Sequence, residues 1–414
     1  MKRIAIFIII IVFLLIGCNR ENNKLNKIKD NITKPTEIEN KQKEDRNITE
    51  DKIQNKLDNM TLDEKIGQMI IAGFSSYNVD EKVKTLIKDY NIGGLILFNR
   101  NIKSSDQLVD LLNSIKEENK NNIPLFLAVD QEGGRVNRMP KDIINFPSNI
   151  EIGYGGNEDL AYDVGSAIGQ EIKSYGFNLN FAPVIDIFSN KENKVIGDRA
   201  FGKNEKIVSE FGISKMKGLQ SKGIIPVIKH FPGHGDTSVD SHMGLPIIKK
   251  DIESLSKFEL IPFKRAIDNG ADMVMIAHIL LSKIDDKPAT LSKKVITELL
   301  RGKLGFKGVI ITDDLEMDAI TDNYSIEETV LKAIDGGNDI LLICHSYNKQ
   351  IKAFDIIKEE VKAENIPIER INKSVYRILK LKSKYGLSND KKEYVDIERI
   401  NNNNRRIINI LKDK

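Results

Sequence analysis

Titratable side chains cluster in one short stretch of this 414-residue chain. Three of its five histidines, His230, His234 and His242, lie there. An apolar run at 224–228 precedes them, so the pattern predicts a buried strand that delivers Lys229 and His230, followed by a loop rich in Pro and Gly. Histidines gathered in this way favour a catalytic or binding site over core packing.

A carboxylate precedes the last of these histidines in the sequence Asp240-Ser241-His242. An Asp bonded to one ring nitrogen raises the basicity of the other, so this pair could protonate a leaving oxygen and later deprotonate water. A solvated loop histidine is the alternative. His234, Asp236 and His242 could instead bind a metal, but their Pro-Gly loop lacks the rigid spacing of a ligand set. We therefore expect no metal and no cofactor.

Two adjacent carboxylates, Asp313 and Asp314, end the apolar run that starts at Val309. Neighbouring strand residues point to opposite sides, so we expect only one of the two to face a pocket. An ionised Asp313 could attack an anomeric carbon or stabilise an oxocarbenium-like transition state. Asp314 is better suited to capping the next helix.

Two further loops carry candidate ligand-binding residues. Asp130 opens the stretch Asp-Gln-Glu-Gly-Gly-Arg-Val, and its carboxylate could accept hydrogen bonds from vicinal hydroxyls while the glycines admit a ligand close to the backbone. A solvated charge on a glycine-rich loop is the alternative. Arg199 could clamp an anionic or hydroxyl-bearing ligand, or form a surface salt bridge.

The elements that must position these residues alternate between strand and helix patterns. The predicted strands are residues 69–74, 94–98, 125–130, 179–186, 224–229, 273–278, 309–313 and 339–344. Helix-period segments between them are residues 105–118, 159–173, 205–221, 253–269, 291–304 and 327–335, after a first helix that Thr61 and Glu64 open as a capping box.

Eight alternating units indicate the α/β class and a (β/α)₈ TIM-type barrel. A doubly wound open sheet is the alternative, weakened because no Gly-x-Gly-x-x-Gly follows the first strand. In a barrel the catalytic groups lie at the carboxyl ends of the strands, where this chain places Asp130, Lys229, His230, His278 and Asp313.

The N-terminus has the pattern of a secretion signal. A basic start and an apolar run at 4–16 lead to Leu15-Ile16-Gly17-Cys18, which resembles the lipobox of bacterial lipoproteins. We expect residues 1–17 to be a signal peptide, Cys18 to be lipidated, and the protein to be anchored to a bacterial membrane outside the cytoplasm. A simple membrane-anchor helix is the alternative.

The remaining divisions follow from composition. Residues 18–58 are polar and charged, which predicts a flexible, disordered tether. Residues 59–388 form one catalytic domain, and 389–414 a tail in which the apolar residues at 407–411 could form a short helix. Cys344 is expected to be a buried thiol. A formal net charge of +3 gives no indication of nucleic-acid binding, and we expect a monomer.

Four separated motifs resemble glycoside hydrolase family 3 β-N-acetylglucosaminidases. They are Lys-His-Phe-Pro-Gly-His-Gly from Lys229, Asp-Ser-His from Asp240, Asp-Gln-Glu-Gly-Gly-Arg-Val from Asp130 and Thr-Asp-Asp-Leu from Thr312, and the similarity covers about residues 60–385. Some relatives carry a second α/β domain after the barrel, for which this tail is too short. The compact relatives are usually cytoplasmic, whereas this chain has an export signal.

The resemblance implies a retaining mechanism, with Asp313 as nucleophile and His242 as acid/base assisted by Asp240. It also implies five sugar-binding residues, Asp130, Arg138, Arg199, Lys229 and His230. The family acts on N-acetylglucosaminides, typically muropeptide fragments, so the expected partner is a carbohydrate. A phosphorylase, a family 3 enzyme of other sugar specificity, and a lipoprotein that binds cell-wall fragments without turnover are the alternatives.

Overall fold

The computed structural model describes residues 50–155, 157–237 and 244–412. Cys18, Asp240 and His242, with the signal peptide and most of the tether, lie outside the described residues. The chain divides into a unit that ends at Asp58 and a body that begins at Asn59. Composition assigned residues 50–58 to the tether, but in the structure they are helical.

Ten strands are present in the described part of the body. They are β1 (Ile70–Gly73), β2 (Gly94–Leu97), β3 (Phe126–Val129), β4 (Leu179–Asn180), β5 (Ile225–Phe231), β6 (Ile247–Ile248), β7 (Met273–Ile276), β8 (Leu280–Leu281), β9 (Val309–Asp314) and β10 (Ile340–Ile343). Eight form a closed parallel barrel in the order β1-β2-β3-β4-β5-β7-β9-β10, and β6 pairs with β8 outside it. The predicted (β/α)₈ barrel is confirmed.

One helix precedes the first barrel strand, and the others lie between the strands or follow the last of them. They are α1 (Leu62–Gln68), α2 (Glu81–Lys88), α3 (Ser105–Glu118), α4 (Asn149–Tyr154), α5 (Glu158–Tyr175), α6 (Glu205–Ser221), α7 (Ile252–Ser256), α8 (Leu260–Asp268), α9 (Asp318–Thr321), α10 (Ile326–Gly336), α11 (Tyr347–Lys362), α12 (Ile368–Lys384) and α13 (Ile397–Lys412). A π-helix spans Lys294–Lys303, and single 3₁₀ turns span Asn99–Asn101, Gly197–Arg199 and Ala289–Leu291.

The barrel strands are apolar because both of their faces are covered. Except for Asp313, every residue of the eight barrel strands is buried. The capping box at Thr61 forms, since the Glu64 amide donates to the Thr61 hydroxyl at 3.2 Å and the Thr61 amide donates to the Glu64 carboxylate at 2.8 Å. Among the described residues, no helix is long and apolar enough to span a bilayer.

Three predicted elements differ from the structure. The helix predicted at 253–269 is two helices, because Pro262 has no amide proton to donate back to Phe258, and α8 places it in its first turn. The helix predicted at 291–304 is a 3₁₀ turn followed by the π-helix. The strand predicted at 179–186 ends at Asn180, shortly before Pro183, which likewise lacks an amide donor.

Candidate active site

A cavity of about 470 Å³ opens at the carboxyl ends of the barrel strands. We call it the site cavity; it is bordered by residues from seven strand ends, among them Ile96, Asp130, Phe181, Lys229, Met275, Asp313 and Leu342. All five predicted sugar-binding residues and Asp313 line it: Asp130, Arg138, Arg199, Lys229, His230 and Asp313. The structure therefore brings these six residues together, while their chemical roles stay predictions.

The floor of the site cavity is a network of buried charges centred on Glu132. Arg199 binds the Glu132 carboxylate with two nitrogens, at 2.8 and 2.9 Å. The Lys229 ammonium lies 2.8 Å from Glu132 and 2.8 Å from Asp130. Burial raises the pKa of Glu132, but the two adjacent cations outweigh it and hold that pKa well below its ordinary value. The network fixes Arg199 and Lys229 rather than leaving Arg199 as a surface salt bridge.

His230 is held in one tautomer by its two neighbours. Its Nδ1 lies 2.7 Å from the Asp186 carboxylate, which is fully buried, and its Nε2 lies 3.4 Å from an Arg199 nitrogen. A carboxylate accepts and a guanidinium donates, so Nδ1 carries the proton and Nε2 presents its lone pair. Asp186 also accepts the His234 amide at 2.7 Å, which joins the start of the following loop to the same carboxylate.

Asp313 is an ionised carboxylate at the end of β9. Burial raises its pKa, but electrostatic interactions with His278, His230 and Lys229, together with the hydrogen bond from the Asp314 amide, lower it below its ordinary value. The Asp314 amide donates to Asp313 at 2.8 Å. An ionised carboxylate that faces a cavity has a free oxygen available as a nucleophile.

Both Asp313 and Asp314 border the site cavity, so the expectation that only one could do so was wrong. The pairing of β9 with β10 shifts between Ile340 and Leu342, and this bulge breaks the alternation of side chains. Asp314 nevertheless has a largely structural set of partners. It accepts the amides of Glu316 and Cys344, each at 3.1 Å. The next helix begins after Met317 and has no side-chain cap, so the capping role predicted for Asp314 was wrong.

Arg138 has hydrogen-bonding capacity that the described residues do not use. Its side chain lines the site cavity, and its Nε is buried with no partner in the described part of the chain. Its backbone amide donates to the Gln131 side chain at 2.8 Å, which closes the loop that starts at Asp130. A buried guanidinium donor without a partner is costly unless a ligand completes it.

One wall of the site cavity was not singled out by the sequence patterns. His345 is half exposed and stacks on Phe98, with ring centroids 6.0 Å apart, and its Nε2 lies 3.2 Å from Asp314. The hydrogen bond to Asp314 raises the pKa of His345. Cys344, adjacent to it, is a buried thiol as predicted, and burial raises its pKa.

The residues of the alternative metal set are otherwise engaged where they are described. His234 lies with Nδ1 2.8 Å from the Thr237 hydroxyl, and burial lowers its pKa to about 4. Asp236 pairs with Lys250 at 2.8 Å. Within the described ranges, His, Cys, Asp and Glu form no group of three placed to hold a metal ion. Asp240 and His242 lie outside those ranges, so their assignment stays a prediction.

A closed parallel barrel with carboxylates, cations and imidazoles around one cavity at its carboxyl face has the architecture of a barrel glycoside hydrolase. Residues 61–381 match the model of the glycosyl hydrolase family 3 N-terminal domain. The chain therefore belongs to glycosyl hydrolase family 3.

Curated relatives and solved structures agree with this assignment. Beta-hexosaminidase A of Pseudoalteromonas piscicida is 34% identical over 367 residues, 78% of this chain and 61% of that protein. A beta-hexosaminidase of Methylobacillus flagellatus is 35% identical over 66% of this chain and 80% of its own length. The structure of a family 3 beta-N-acetylglucosaminidase from a Paenibacillus species superimposes with a TM-score of 0.79 at 38% identity, covering 84% of this chain and 68% of that one.

Proposed function

We propose that this protein is a retaining exo-β-N-acetylglucosaminidase that removes terminal, non-reducing β-linked N-acetylglucosamine. The observation that carries the proposal is the ionised Asp313, which borders the same cavity as Arg199, Lys229 and the His230 imidazole. A carboxylate in this position can form the covalent glycosyl intermediate that retention of configuration requires. The choice of N-acetylglucosamine as the sugar rests on the names of the relatives, a beta-hexosaminidase and a beta-N-acetylglucosaminidase.

In the proposed first step an Asp313 oxygen bonds to C1 of the sugar as the bond from C1 to the glycosidic oxygen breaks. His242, oriented by Asp240, gives its proton to that departing oxygen. In the second step water attacks C1, His242 accepts the water proton, and the bond from C1 to Asp313 breaks. Proton transfer of this kind contributes roughly 10²- to 10⁴-fold to the rate.

The floor residues would hold the sugar hydroxyls in place during both steps. Lys229 and Asp130 face the site cavity as a paired donor and acceptor, which suits recognition of vicinal hydroxyls. Arg138 has an unused buried donor for a further oxygen. Because these groups are fixed by one another before a ligand arrives, binding costs little ordering of side chains.

The physiological substrate and location are part of the proposal. We infer a muropeptide or another cell-wall fragment as substrate and a lipid anchor on Cys18 that holds the enzyme outside the cytoplasm. Replacement of Cys18 by Ser should move the protein from the membrane fraction to the soluble fraction of the expressing bacterium. An unchanged distribution of the Cys18→Ser protein would contradict the anchor.

The catalytic proposal is tested with Asp313→Asn and a panel of aryl β-glycosides of N-acetylglucosamine, glucose and xylose. We expect wild type to prefer the N-acetylglucosaminide, and the variant to lose roughly 10⁴-fold or more in kcat, because the nucleophile is removed. Asp322→Asn, an exposed carboxylate nearby in sequence, is the matched control and should retain wild-type kinetics.

A 5-fluoro glycosyl fluoride should label wild type covalently on the peptide that contains Asp313, and the label should be absent from Asp313→Asn. Unimpaired turnover by that variant would overturn the nucleophile assignment. Release of sugar 1-phosphate in phosphate buffer would favour a phosphorylase. Binding of the disaccharide without any release of N-acetylglucosamine would favour the non-catalytic alternative.

A further inference from the structure

One buried carboxyl group close to the site has no part in the proposed chemistry. Glu171, on the inner side of α5, is 1% exposed, and its two oxygens accept hydrogen bonds from amide side chains on different parts of the chain. Gln131 donates to Oε1 at 3.2 Å and Asn404 donates to Oε2 at 3.0 Å. Burial raises the pKa of Glu171 to about 8, against the lowering effect of the two donors.

Asn404 belongs to α13, the helix near the C-terminus of the chain. α13 lies wholly outside residues 61–381, which match the family model. α13 contacts α5, and its apolar residues Ile400 and Ile407 are buried. Asn404 is 1% exposed and also donates to the carbonyl of Ile144 at 2.9 Å. The position of this single amide is therefore fixed by both α5 and the segment before α4.

Gln131 connects Glu171 to the floor of the site cavity. It stands between Asp130 and Glu132, and its side-chain oxygen accepts the backbone amide of Arg138 at 2.8 Å. Its own backbone amide and carbonyl bond to the Asn180 side chain at 3.0 and 2.9 Å. Because the Gln131 oxygen must face an N–H donor, its NH₂ group must face Glu171, whose Oε1 therefore accepts that hydrogen bond.

A second connection runs from α13 to the same loop. Asn401 accepts the Ile144 amide at 2.8 Å and donates to the Asp142 carbonyl at 2.7 Å. The following residue of that segment, Asn145, donates to the carbonyl of Gly134 at 2.6 Å. Gly134 has φ +55° and a Cβ would lie 2.8 Å from the Cα of Ser148, so this turn is closely packed against the segment that α13 holds.

We propose that α13 is a positioning element for the loop from Asp130 to Arg138, with Asn404 as its positioning residue acting through Glu171 and Gln131. The proposal rests on the proposed function in that this loop would bind the sugar. Asn404 touches no part of the site cavity, so its effect is on where Asp130 and Arg138 lie. A displaced binding loop weakens substrate binding, and errors of about 1 Å can cost large factors in rate.

Asn404→Asp tests the proposal because it removes the amide that donates to both Glu171 and the Ile144 carbonyl, and puts an acidic side chain in its place. We expect KM for the aryl N-acetylglucosaminide to rise about tenfold while kcat stays within about twofold, because the nucleophile is untouched. Asn402→Asp is the matched control. It makes the same change in the same run of asparagines at an exposed position, and its kinetics should equal those of wild type.

The double variant Asn404→Asp with Glu171→Gln exchanges the two side-chain types, so that the amide is at 171 and the carboxyl group is at 404. Gln at 171 can donate to the new carboxylate at 404 and still accept from Gln131, so KM should return to within about threefold of wild type. The Ile144 carbonyl lacks its donor in both variants, which is why the rescue is incomplete. A KM that is unchanged in folded Asn404→Asp, or that the double variant fails to restore, would overturn the proposal.

Hydrogen exchange separates this proposal from the proposed function. In the full-length protein without substrate, Asn404→Asp should accelerate amide exchange at residues 131–138, and Asn402→Asp should not. Should Asn404→Asp fail to fold, Asn404→Ala removes the donors without adding a charge and is measured in the same way. Wild type that turns over no N-acetylglucosaminide would refute only the proposed function, whereas unaltered exchange at 131–138 would refute only the positioning role.

Discussion

Buried charges lie at both ends of this barrel, and the two groups are built in opposite ways. At the amino end of β10, Asp339 is fully buried. It accepts from Arg301, from Arg377 at 3.0 Å, from the Ser374 hydroxyl at 2.6 Å and from the Ile310 amide at 2.9 Å. Both carboxylate oxygens are fully used, so this cluster is complete within the protein.

The charged residues around the site cavity, at the carboxyl end of the barrel, do not use all of their hydrogen-bonding groups within the protein. Arg138 has a buried nitrogen with no partner among the described residues, and Asp313 accepts one backbone amide. Lys229 is shared between two carboxylates, and one of these, Asp130, is partly open to the site cavity. A closed ion cluster ties elements of the fold together, whereas an open one keeps charge available for a ligand.

Arg138→Met should produce the largest difference between the two ends. The variant removes a cation that the described protein residues leave incompletely bonded, so we expect kcat/KM to fall roughly 10²- to 10³-fold with little change in the free energy of unfolding. Steady-state kinetics and chemical denaturation measure the two effects. Lys141→Met, at an exposed position in the following turn, is the control. Loss of stability without loss of activity would make Arg138 a structural residue.

Asp339→Asn should give the reverse result. The variant keeps the shape of the side chain but leaves Arg301 and Arg377 without their counter-charge, which we expect to cost about 3 kcal/mol of unfolding free energy. The kinetic constants of the folded fraction should not change, because Asp339 lies at the opposite end of the barrel from the site cavity. Asp335→Asn, in an exposed pair with Lys293, should cost less than about 1 kcal/mol. If Asp339→Asn lowered kcat by a factor equivalent to its loss of unfolding free energy, the Asp339 cluster would not be purely structural.

The sequence predicted the barrel well because the pattern of a barrel is local. Each strand is an apolar run and each helix has its own period, so the helices α3 and α6 begin and end at the predicted residues. The clustering of Asp130, Lys229 and Asp313 followed from one topological rule about strand ends.

The missed features depend on contacts between distant residues. Glu132 was quoted only as part of a motif, yet it is the centre of the floor because Arg199 and Lys229 both reach it. Asp186 lies at the end of a predicted strand. Other charged residues at strand ends were predicted to be site residues, but Asp186 was not. The partnership of Glu171 and Asn404 joins residues 233 positions apart, and no period in the sequence marks it. A run of four asparagines was therefore assigned to a tail, although one of them is buried against the barrel.

Lys215 is a third buried ionisable residue, and it differs from both charge clusters in its hydrogen-bond partners. It lies behind the site cavity on α6, is fully buried, and donates to the Glu132 carbonyl at 2.5 Å and to the Asn149 side chain at 2.7 Å. Its partners are neutral oxygens, unlike those of Lys229 or the arginines around Asp339. Burial accordingly lowers the pKa of Lys215 to about 8, and Glu132 offsets this only in part.

Because burial lowers the pKa of Lys215, the free energy of unfolding should depend on pH, and Lys215→Met should remove this contribution. Between pH 8 and the ordinary value of 10.5, the unfolded chain holds the Lys215 proton and the folded chain does not, so this residue makes wild type more stable as pH rises. Relative to Lys215→Met, wild type should gain about 2–3 kcal/mol across that interval, at about 1.4 kcal/mol per pKa unit. Urea denaturation of both proteins from pH 7.5 to 10.5 measures the difference, with exposed Lys217→Met as control. A pH-independent difference would mean that Lys215 stays charged, as its counterparts at the two ends do.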